Sequence, residues 1–374
     1  MMAPKVVHTK SSKIVITASL RFEEKHVACR HRRGVADRHG AAIRRSRSGV
    51  ASKMHAVTGM KTREPMNRVA TCVDFSDASF VALEHAVAIA RRENAEIVLA
   101  HANPAPRAAR VDDEGSPRTN LDEWLLSQVS AGTRALAALA EKTHRSGLRV
   151  THVSIDDDAV PGLAFATNEL ECELVVVGSR GHTGLKRYLL GSVAERTIRL
   201  VERCAMVARG PAPSAGYRRV LVATDFSQTA ERALDFGVRL AGDGAEVALF
   251  HCAMHPSMVA AVSPEHAISF PMAEAMEELE QRALTQGKEL RRRYSDTRVA
   301  VDFELSRSVA PAGVLERLDQ DGEAFDLVVL GTHGRQGWRR FFLGSVAETT
   351  ARHAPCSVIV VHSEGDYGSL RDTD

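Results

Sequence analysis

The sequence predicts an α/β protein made of two tandem domains, each built on a doubly wound, five-stranded parallel sheet. Three observations predict this fold class. Short Val-rich runs alternate with amphipathic segments of helical length, the whole alternation occurs twice at an offset of 150 to 153 residues, and each copy carries the same glycine pattern. Apolar strands that alternate with helices are typical of a parallel sheet covered on both faces, as in Rossmann-like folds.

Matching pieces of sequence define the repeat. Residues 69–76 match 220–227 at an offset of 151, and residues 173–178 match 326–331 at an offset of 153. Offsets that drift so little indicate a duplicated domain with small insertions in its loops. The predicted parts are an extension at 1–65, a first domain at 66–210, a Pro- and Gly-containing linker at 211–216, a second domain at 217–362 and a tail at 363–374.

Periodicity then assigns the elements of each domain. Apolar runs of five to seven residues favour buried strands, and apolar residues at every third or fourth position favour helices. The strands predicted for the first domain are 69–74, 95–101, 148–154, 173–178 and 205–209, and its helices are 77–92, 121–146, 159–171 and 191–203. For the second domain the strands are 219–225, 245–251, 298–304, 326–331 and 356–361, and the helices are 227–241, 272–294, 309–321 and 344–353.

Residues 1–65 differ in composition from the rest of the chain. They hold fifteen Lys and Arg against four Asp and Glu, whereas residues 66–374 hold 34 against 43. Three interpretations of the extension stay open. It is a disordered basic arm, because it buries too little apolar surface to order itself, or the translation start lies at Met54, Met60 or Met66, or the segment serves nucleic-acid binding or targeting. The mildly acidic remainder gives no support to nucleic-acid binding by the core.

Composition and cysteine usage favour a cytoplasmic protein. The chain contains no run of about 18 apolar residues, so we expect no membrane span. Its six cysteines form no CxxC pair, show no regular spacing, and several lie in apolar runs. These features favour buried, reduced thiols in a reducing compartment over a disulfide framework.

A phosphate-cradle pattern, G-x2-G-x9-G-S/T, follows a Val-rich run in each domain and precedes a predicted helix. Glycines let backbone N–H groups approach an anion, and a helix N-terminus adds a favourable partial charge. Turn formation explains single glycines but not the recurrence of the whole unit. The serine hydroxyls can cap the helix, contact a phosphate, or do both. The candidate phosphate-binding residues are Gly178, Gly181, Gly191 and Ser192 in the first domain, and Gly331, Gly334, Gly344 and Ser345 in the second.

An aspartate closes the first strand of each domain. Asp74 and Asp225 lie within the pieces Val-Asp-Phe-Ser and Thr-Asp-Phe-Ser. A carboxylate there can accept a hydrogen bond from a ribose hydroxyl or hold a divalent cation. The alternative is a cap for the following helix, which Ser76 and Ser227 could also supply. Because ligands of parallel sheets bind at the carboxyl ends of the strands, we expect the aspartates at the same edge as the glycine loops.

Several catalytic patterns are absent from the sequence. It contains no G-x4-G-K-S/T loop, no G-x-G-x-x-G after the first strand and no G-x-S-x-G elbow. His101 and His251 end the second strand of each domain without a Cys/His cluster, so we assign them no chemistry. No nucleophile with a positioned base is evident, and we expect no catalytic residues.

These residues resemble the universal stress protein family in its tandem form, over residues 66–361. The resemblance rests on the two aspartates, both glycine loops, the Gly-Ser-Val-Ala-Glu helix starts at 191–195 and 344–348, and His-Ala-Pro-Cys at 353–356. The first domain departs from the pattern at its last strand, where this proline is missing.

The resemblance implies an adenine nucleotide alpha hydrolase-like fold that binds ATP, with the glycine loops around the phosphates. It places Asp74 and Asp225 toward the ribose and a nucleotide-bound Mg²⁺. It also implies a role in surviving stress, and pairing of domains through their last strands, either within one chain or in a homodimer.

Two functional hypotheses follow. The first is a cytoplasmic stress-response protein that binds ATP in each domain and regulates an unidentified protein partner, with at most slow hydrolysis because no general base is evident. The alternative is a non-catalytic interaction scaffold in which nucleotide binding is vestigial. An ATP pyrophosphatase or a nucleotidylyltransferase would need an S-G-G-x-D-S loop or an H-x-G-H pair, and the sequence contains neither.

Overall fold

A computed structural model describes most of both domains and two short segments of the extension. The described residues are 5–8, 13–18, 66–103, 119–156, 159–179, 190–201, 203–253, 270–320, 324–332 and 343–362. The predictions for Gly181, Gly334 and the tail at 363–374 therefore lie outside the described residues, as do those for most of the extension.

Strands and helices alternate along the two domains as the periodicity predicts. The strands are β1 Lys5–His8, β2 Lys13–Ala18, β3 Arg68–Cys72, β4 Glu96–Ala102, β5 Val150–Asp156, β6 Leu174–Gly178, β7 Cys204–Ala208, β8 Tyr217–Ala223, β9 Ala241–Cys252, β10 Ala300–Ser306, β11 Leu327–Gly331 and β12 Ser357–Val361. The helices are α1 Asp77–Glu93, α2 Asn120–Arg145, α3 Ala159–Glu169, α4 Ser192–Leu200, α5 Gln228–Leu240, α6 Phe270–Arg293, α7 Ala312–Asp319 and α8 Ser345–His353. The clearest difference is β9, which begins at Ala241 directly after α5, four residues before the predicted start.

The described strands form one sheet in the order β1-β2-β5-β4-β3-β6-β7-β12-β11-β8-β9-β10. In the first domain the chain runs outward from β3 through β4 to β5, and then returns to β6 and β7 on the other side of β3. The winding therefore reverses between β3 and β6, and it does so between β8 and β11 in the second domain. Five parallel strands in each domain confirm the predicted fold class.

The last strands of the two domains pair with each other inside the chain. β7 runs antiparallel to β12, with Met206 opposite Ile359, and every residue of both strands is buried. The Ser357 hydroxyl donates to the Arg209 carbonyl at 3.0 Å, and it accepts from the Arg209 N–H at 3.0 Å. The first domain thus pairs fully at this edge without the proline that precedes the last strand of the second.

Helices cover both faces of the sheet. One apolar cluster joins the sheet to α1, α2, α5 and α6, and the other joins it to α3, α4, α7 and α8. Each cluster draws on both domains, because the β7–β12 pairing makes the sheet continuous.

Two short pieces of residues 1–65 add strands to the sheet. β2 pairs antiparallel with β5, and β1 pairs antiparallel with β2. The edge of β5 offers unpaired backbone groups, and β2 contains the run Ile14-Val15-Ile16, whose β-branched residues favour an extended chain. A basic composition therefore did not prevent this short piece from adding to the sheet.

Candidate functional site

The Asp74 carboxylate organises a tight turn between β3 and α1. Its Oδ1 accepts hydrogen bonds from the Ser76 N–H at 3.0 Å and from the Ser76 hydroxyl at 2.6 Å. Phe75 lies between Asp74 and Ser76 and has a φ of 64°. This is a left-handed conformation, which such local hydrogen bonds stabilise. The turn places the half-buried Asp74 at the carboxyl end of β3.

The second domain repeats this turn. The Asp225 Oδ1 accepts from the Ser227 N–H at 3.1 Å, and Phe226 has a φ of 62°. Ser76 and Ser227 are the N-caps of α1 and α5, and each hydroxyl oxygen accepts from a first-turn N–H group. The helix caps are therefore supplied by the serines, as the alternative interpretation allowed, and the aspartates shape the turns before them.

A histidine buttresses each turn. His101 donates from Nδ1 to the Val73 carbonyl at 2.7 Å, and His251 donates to the Thr224 carbonyl at 2.7 Å. Their rings lie 4.9 Å and 4.7 Å from the rings of Phe75 and Phe226. These contacts give both histidines a structural role in the turns.

The first glycine of each loop permits close approach between a strand end and a helix start. A Cβ on Gly178 would lie 2.5 Å from the Ala78 carbonyl oxygen, and a Cβ on Gly331 would lie 2.9 Å from Thr229 Cγ2. Both distances are shorter than ordinary van der Waals contact. The lack of a side chain at these two positions lets the end of the strand reach the first turn of α1 or α5.

The third glycine of each loop begins the following helix. The Gly191 N–H donates to the Ser179 carbonyl at 2.9 Å, and the Gly344 N–H donates to the Thr332 carbonyl at 2.8 Å, so a hydrogen bond joins the two described ends of each loop. Gly191 and Gly344 are the N-caps of α4 and α8, without a side-chain cap bond. The exposed Ser192 and Ser345 are the first helical residues and are not the caps.

Aspartate and glycine loop meet at the switch point of each sheet. β3 pairs with β6, so Asp74 and Gly178 leave adjacent strands at the same edge, and Asp225 and Gly331 leave β8 and β11 in the same way. Ligands of doubly wound sheets bind in the crevice at this point. The structure brings together all the candidate residues that it describes, in two copies.

Comparison with known protein families now decides the family. The model of the universal stress protein family matches residues 66–209 and 216–362. The chain belongs to the universal stress protein family.

Curated universal stress proteins are similar to single domains of this chain. Universal stress protein MJ0531 of Methanocaldococcus jannaschii is 28% identical over 141 residues, which is 37% of this chain and 79% of the relative. Universal stress protein YxiE of Bacillus subtilis is 27% identical over 146 residues, or 38% of this chain and 99% of the relative.

A solved structure supports the tandem fold. The crystal structure of a universal stress protein from Archaeoglobus fulgidus has a TM-score of 0.53 and 20% sequence identity, and the match covers 79% of this chain and 98% of that one. A coverage of 79% exceeds one domain, so the likeness extends to the arrangement of two universal stress domains.

The two domains of this universal stress protein differ at the carboxyl ends of their second and third strands. Asn103, which follows β4, is buried and donates from Nδ2 to the Ser154 hydroxyl at 2.9 Å. In the second domain, Ala253 and Leu305 occupy the positions equivalent to Asn103 and Ser154. No sequence pattern named above includes this polar pair, although a polar residue directly after a predicted strand, at the edge where the strands end, was a usable signal.

Electrostatics at the site disfavour a thiol nucleophile. Burial, with the Asp74 charge adding to it, raises the pKa of the Cys72 thiol to about 12, so the thiol stays protonated at neutral pH.

Within the described ranges, no three His, Cys, Asp or Glu side chains come together as a metal site. No helix in the described part of the chain is long and apolar enough to cross a membrane.

Proposed function

We propose that this universal stress protein binds ATP in each domain and acts in the cytoplasm as a nucleotide-dependent regulator of a protein partner. One observation supports the proposal most strongly. At both switch points, a carboxylate lies at the same edge of the sheet as a helix start capped by glycine. Phosphates would lie over the glycine loops, and Asp74 and Asp225 would face the ribose.

The local geometry fits a phosphate chain. A side chain at Gly178 or Gly331 would fill the space where strand and helix meet. At α4 and α8 the capping glycine brings no side-chain oxygen to the N–H groups of the first turn, and phosphate oxygens are favourable acceptors at a helix N-terminus. Mg²⁺, bound with the nucleotide, would neutralise phosphate charge, with Asp74 or Asp225 as an oxygen ligand.

Binding without rapid hydrolysis is the expected chemistry. The described histidines of the two sites donate from Nδ1 to backbone carbonyls, and the nearby Cys72 thiol is protonated. A protonated thiol is not an activated nucleophile, and the other ring nitrogen of His101, Nε2, lies against Gly132 of α2. The site thus favours a protein that changes state with its nucleotide over one that turns it over quickly.

The interaction scaffold with vestigial sites is the second candidate. Leu121 and Trp124, one turn apart on α2, are 63% and 56% exposed. An exposed apolar pair of this kind suits contact with another protein. It needs no nucleotide, so titration with ATP separates the two candidates.

The test uses Ser192 and Ser345, which are exposed and do not cap their helices. Ser192→Glu places an acid at the helix start, where it favours the helix but repels phosphate. Ser192→Gln is the neutral control of similar size. The same two substitutions at Ser345 address the second site.

The full chain and its variants are titrated calorimetrically with ATP and Mg²⁺. We expect two nucleotides per wild-type chain, one in either single Glu variant, none in the double Glu variant, and two in the Gln variants. Absence of binding to the wild type at millimolar ATP would favour the scaffold hypothesis. Equal binding by the Glu and Gln variants would show that the phosphates do not bind at these helix starts.

A further inference from the structure

A buried polar pair joins the first helix of domain 1 to the first strand of domain 2. His85 of α1 is 1% exposed, and Tyr217, the first residue of β8, is 2% exposed. The His85 Nδ1 and the Tyr217 hydroxyl oxygen are 2.7 Å apart, and the His85 Nε2 lies 3.2 Å from the carbonyl oxygen of Gly210. One imidazole thus contacts both ends of the linker that connects the domains.

The partners of the two ring nitrogens fix the proton positions of the neutral ring. A carbonyl oxygen only accepts, so Nε2 carries the proton and donates to Gly210. Nδ1 then accepts from the Tyr217 hydroxyl. Protonation of Nδ1 would turn the hydroxyl hydrogen of Tyr217 away from the ring. The other acceptor within its reach is the Met206 sulfur, 3.9 Å from the hydroxyl oxygen, which is a weak acceptor.

The linker itself lies over α1 and has space beside it. Arg92 of α1 donates to the Ala215 carbonyl at 3.1 Å and also to the Ala241 carbonyl. A cavity of about 610 Å³ separates α1 from the linker and is lined by Glu84, Val87 and residues 212–217, among others. The linker therefore has room to move if the His85 contact is lost.

The equivalent positions elsewhere in the duplicated fold are apolar. Sequence register places Phe236 of α5 where domain 1 has His85, and Met66 where domain 2 has Tyr217. Met66 belongs to the same apolar cluster as Tyr217, and Phe236 packs against that cluster. Apolar residues thus occupy both equivalent positions, so packing alone does not require the histidine and the tyrosine.

The surroundings of His85 oppose its protonation. Burial lowers the pKa of His85 below its ordinary value and is the largest effect. Smaller effects raise this pKa, and they come from the backbone carbonyls of Gly210 and Arg209 and from the charges of Glu84 and Asp326. The unfolded ring binds a proton more readily than the folded one. The contact is therefore stable above the unfolded pKa and loses stability as the pH falls below it.

We propose that His85 and Tyr217 form an acid-sensitive lock between α1 and the interdomain linker, which opens when His85 gains a proton while both domains stay folded. Opening returns the charged ring to water and separates His85 from Gly210 and Tyr217. The contact of Arg92 with the Ala215 carbonyl remains. The continuous β7–β12 pairing keeps the two domains together.

The test is hydrogen–deuterium exchange of the full chain at pH 7.5 and pH 5.5, corrected for intrinsic exchange rates. In the wild type we expect α1 residues 84–93 and residues 214–220 to lose protection at pH 5.5, with β12 unchanged. The double variant His85→Phe/Tyr217→Met copies the apolar pair of the equivalent positions, and we expect its protection to be the same at both pH values. His85→Phe alone serves the same purpose if the double variant does not fold.

Equal wild-type protection at both pH values would overturn the lock, as would an equal loss of protection in the His85→Phe variants. The NMR titration of His85 in the unaltered protein provides an independent measurement. Protection of the linker must fall over the pH range in which that ring gains its proton, and a loss at a different pH would contradict the proposal.

Discussion

The carbonyl oxygen of Ala78 lies where a side chain on Gly178 would begin. The distance from that oxygen to a Cβ built on Gly178 is 2.5 Å, so the end of β6 and the first turn of α1 are in direct backbone contact. This contact holds the Asp74 turn against the start of the glycine loop. The candidate site is therefore assembled by the packing of two chain segments that lie about a hundred residues apart.

Gly178→Ala should destabilise the protein more than Gly331→Ala. The new methyl group meets backbone atoms of Ala78 in the first case, and a movable methyl group of Thr229 in the second. Overpacking costs roughly 1–3 kcal/mol, and we expect Gly178→Ala at the upper end of that range. Urea unfolding of both variants measures the difference, and equal costs would show that the backbone contact is looser than described.

Asp74→Asn should weaken ATP binding in domain 1 while α1 keeps its start. The amide oxygen still accepts from Ser76, but the negative charge for ribose and Mg²⁺ is lost, and a hydrogen bond to a charged group contributes about 1.5–3 kcal/mol. We therefore expect an affinity loss on the order of tenfold or more at this site.

Ser76→Ala is the matched control for the aspartate. It removes the helix cap, for which we expect a loss of stability of about 1 kcal/mol, and it leaves the Asp74 charge in place. Calorimetric titration and urea unfolding of both variants separate the two effects. An Asp74→Asn variant that binds as tightly as the wild type would remove the aspartate from the site.

The described thiols should resist alkylation in the folded protein. Burial raises the pKa of the thiols to about 12 at Cys72, Cys172, Cys204 and Cys356, and to about 11 at Cys252. Because the thiolate is the reactive form, a rise of three pKa units lowers its fraction about a thousandfold at neutral pH.

A Cys29→Ser variant limits the measurement to these five free cysteines. Its labelling by iodoacetamide at pH 8 is followed by mass spectrometry, with the urea-unfolded chain as the reactive reference. Rapid labelling of Cys72 in the folded state would contradict the burial of this thiol beside the candidate site.

Breaking the ion pair between Glu93 of α1 and Arg239 of α5 should destabilise the contact between the domains. The Glu93 carboxylate accepts from the Arg239 Nε at 2.7 Å, and the side chains are only 13% and 16% exposed. Glu93→Gln leaves the buried guanidinium without its counter-charge, and we expect a cost of about 2 kcal/mol. Glu141→Gln, in the exposed pair with Arg145, is the control and should cost below about 0.5 kcal/mol.

Urea unfolding of Glu93→Gln, an Arg239 variant and the double variant forms a double-mutant cycle for this pair. Additive effects of the two single variants would mean that the side chains act independently. A positive coupling energy supports α1–α5 contact as a direct interdomain interaction.

Local sequence signals predicted the elements and the site residues because they depend on short-range chemistry. The alternating runs gave strands and helices close to their observed bounds, and the Asp-Phe-Ser pieces indicated the turn in which Ser76 and Ser227 cap the helices. The recurrence of the glycine unit predicted two equivalent loops, and the structure places their described ends at both switch points.

Contacts between distant segments were beyond the sequence patterns. The sequence allowed β7 and β12 to pair within one chain or between chains, and only the register of the sheet identifies the intrachain pair. The His85 and Tyr217 contact joins residues 132 positions apart, a separation at which local periodicity carries no signal. The pairing of β2 with β5 is also a contact of this kind, because an open strand edge can recruit a short β-branched run from a distant segment.

A crystal structure of the full chain grown with ATP and Mg²⁺ tests the central claim most directly. We predict one nucleotide per domain, with phosphates at the Gly191 and Gly344 helix starts and the ribose beside Asp74 and Asp225. Nucleotide density away from both switch points, or none at millimolar ATP, would contradict ATP binding at these positions.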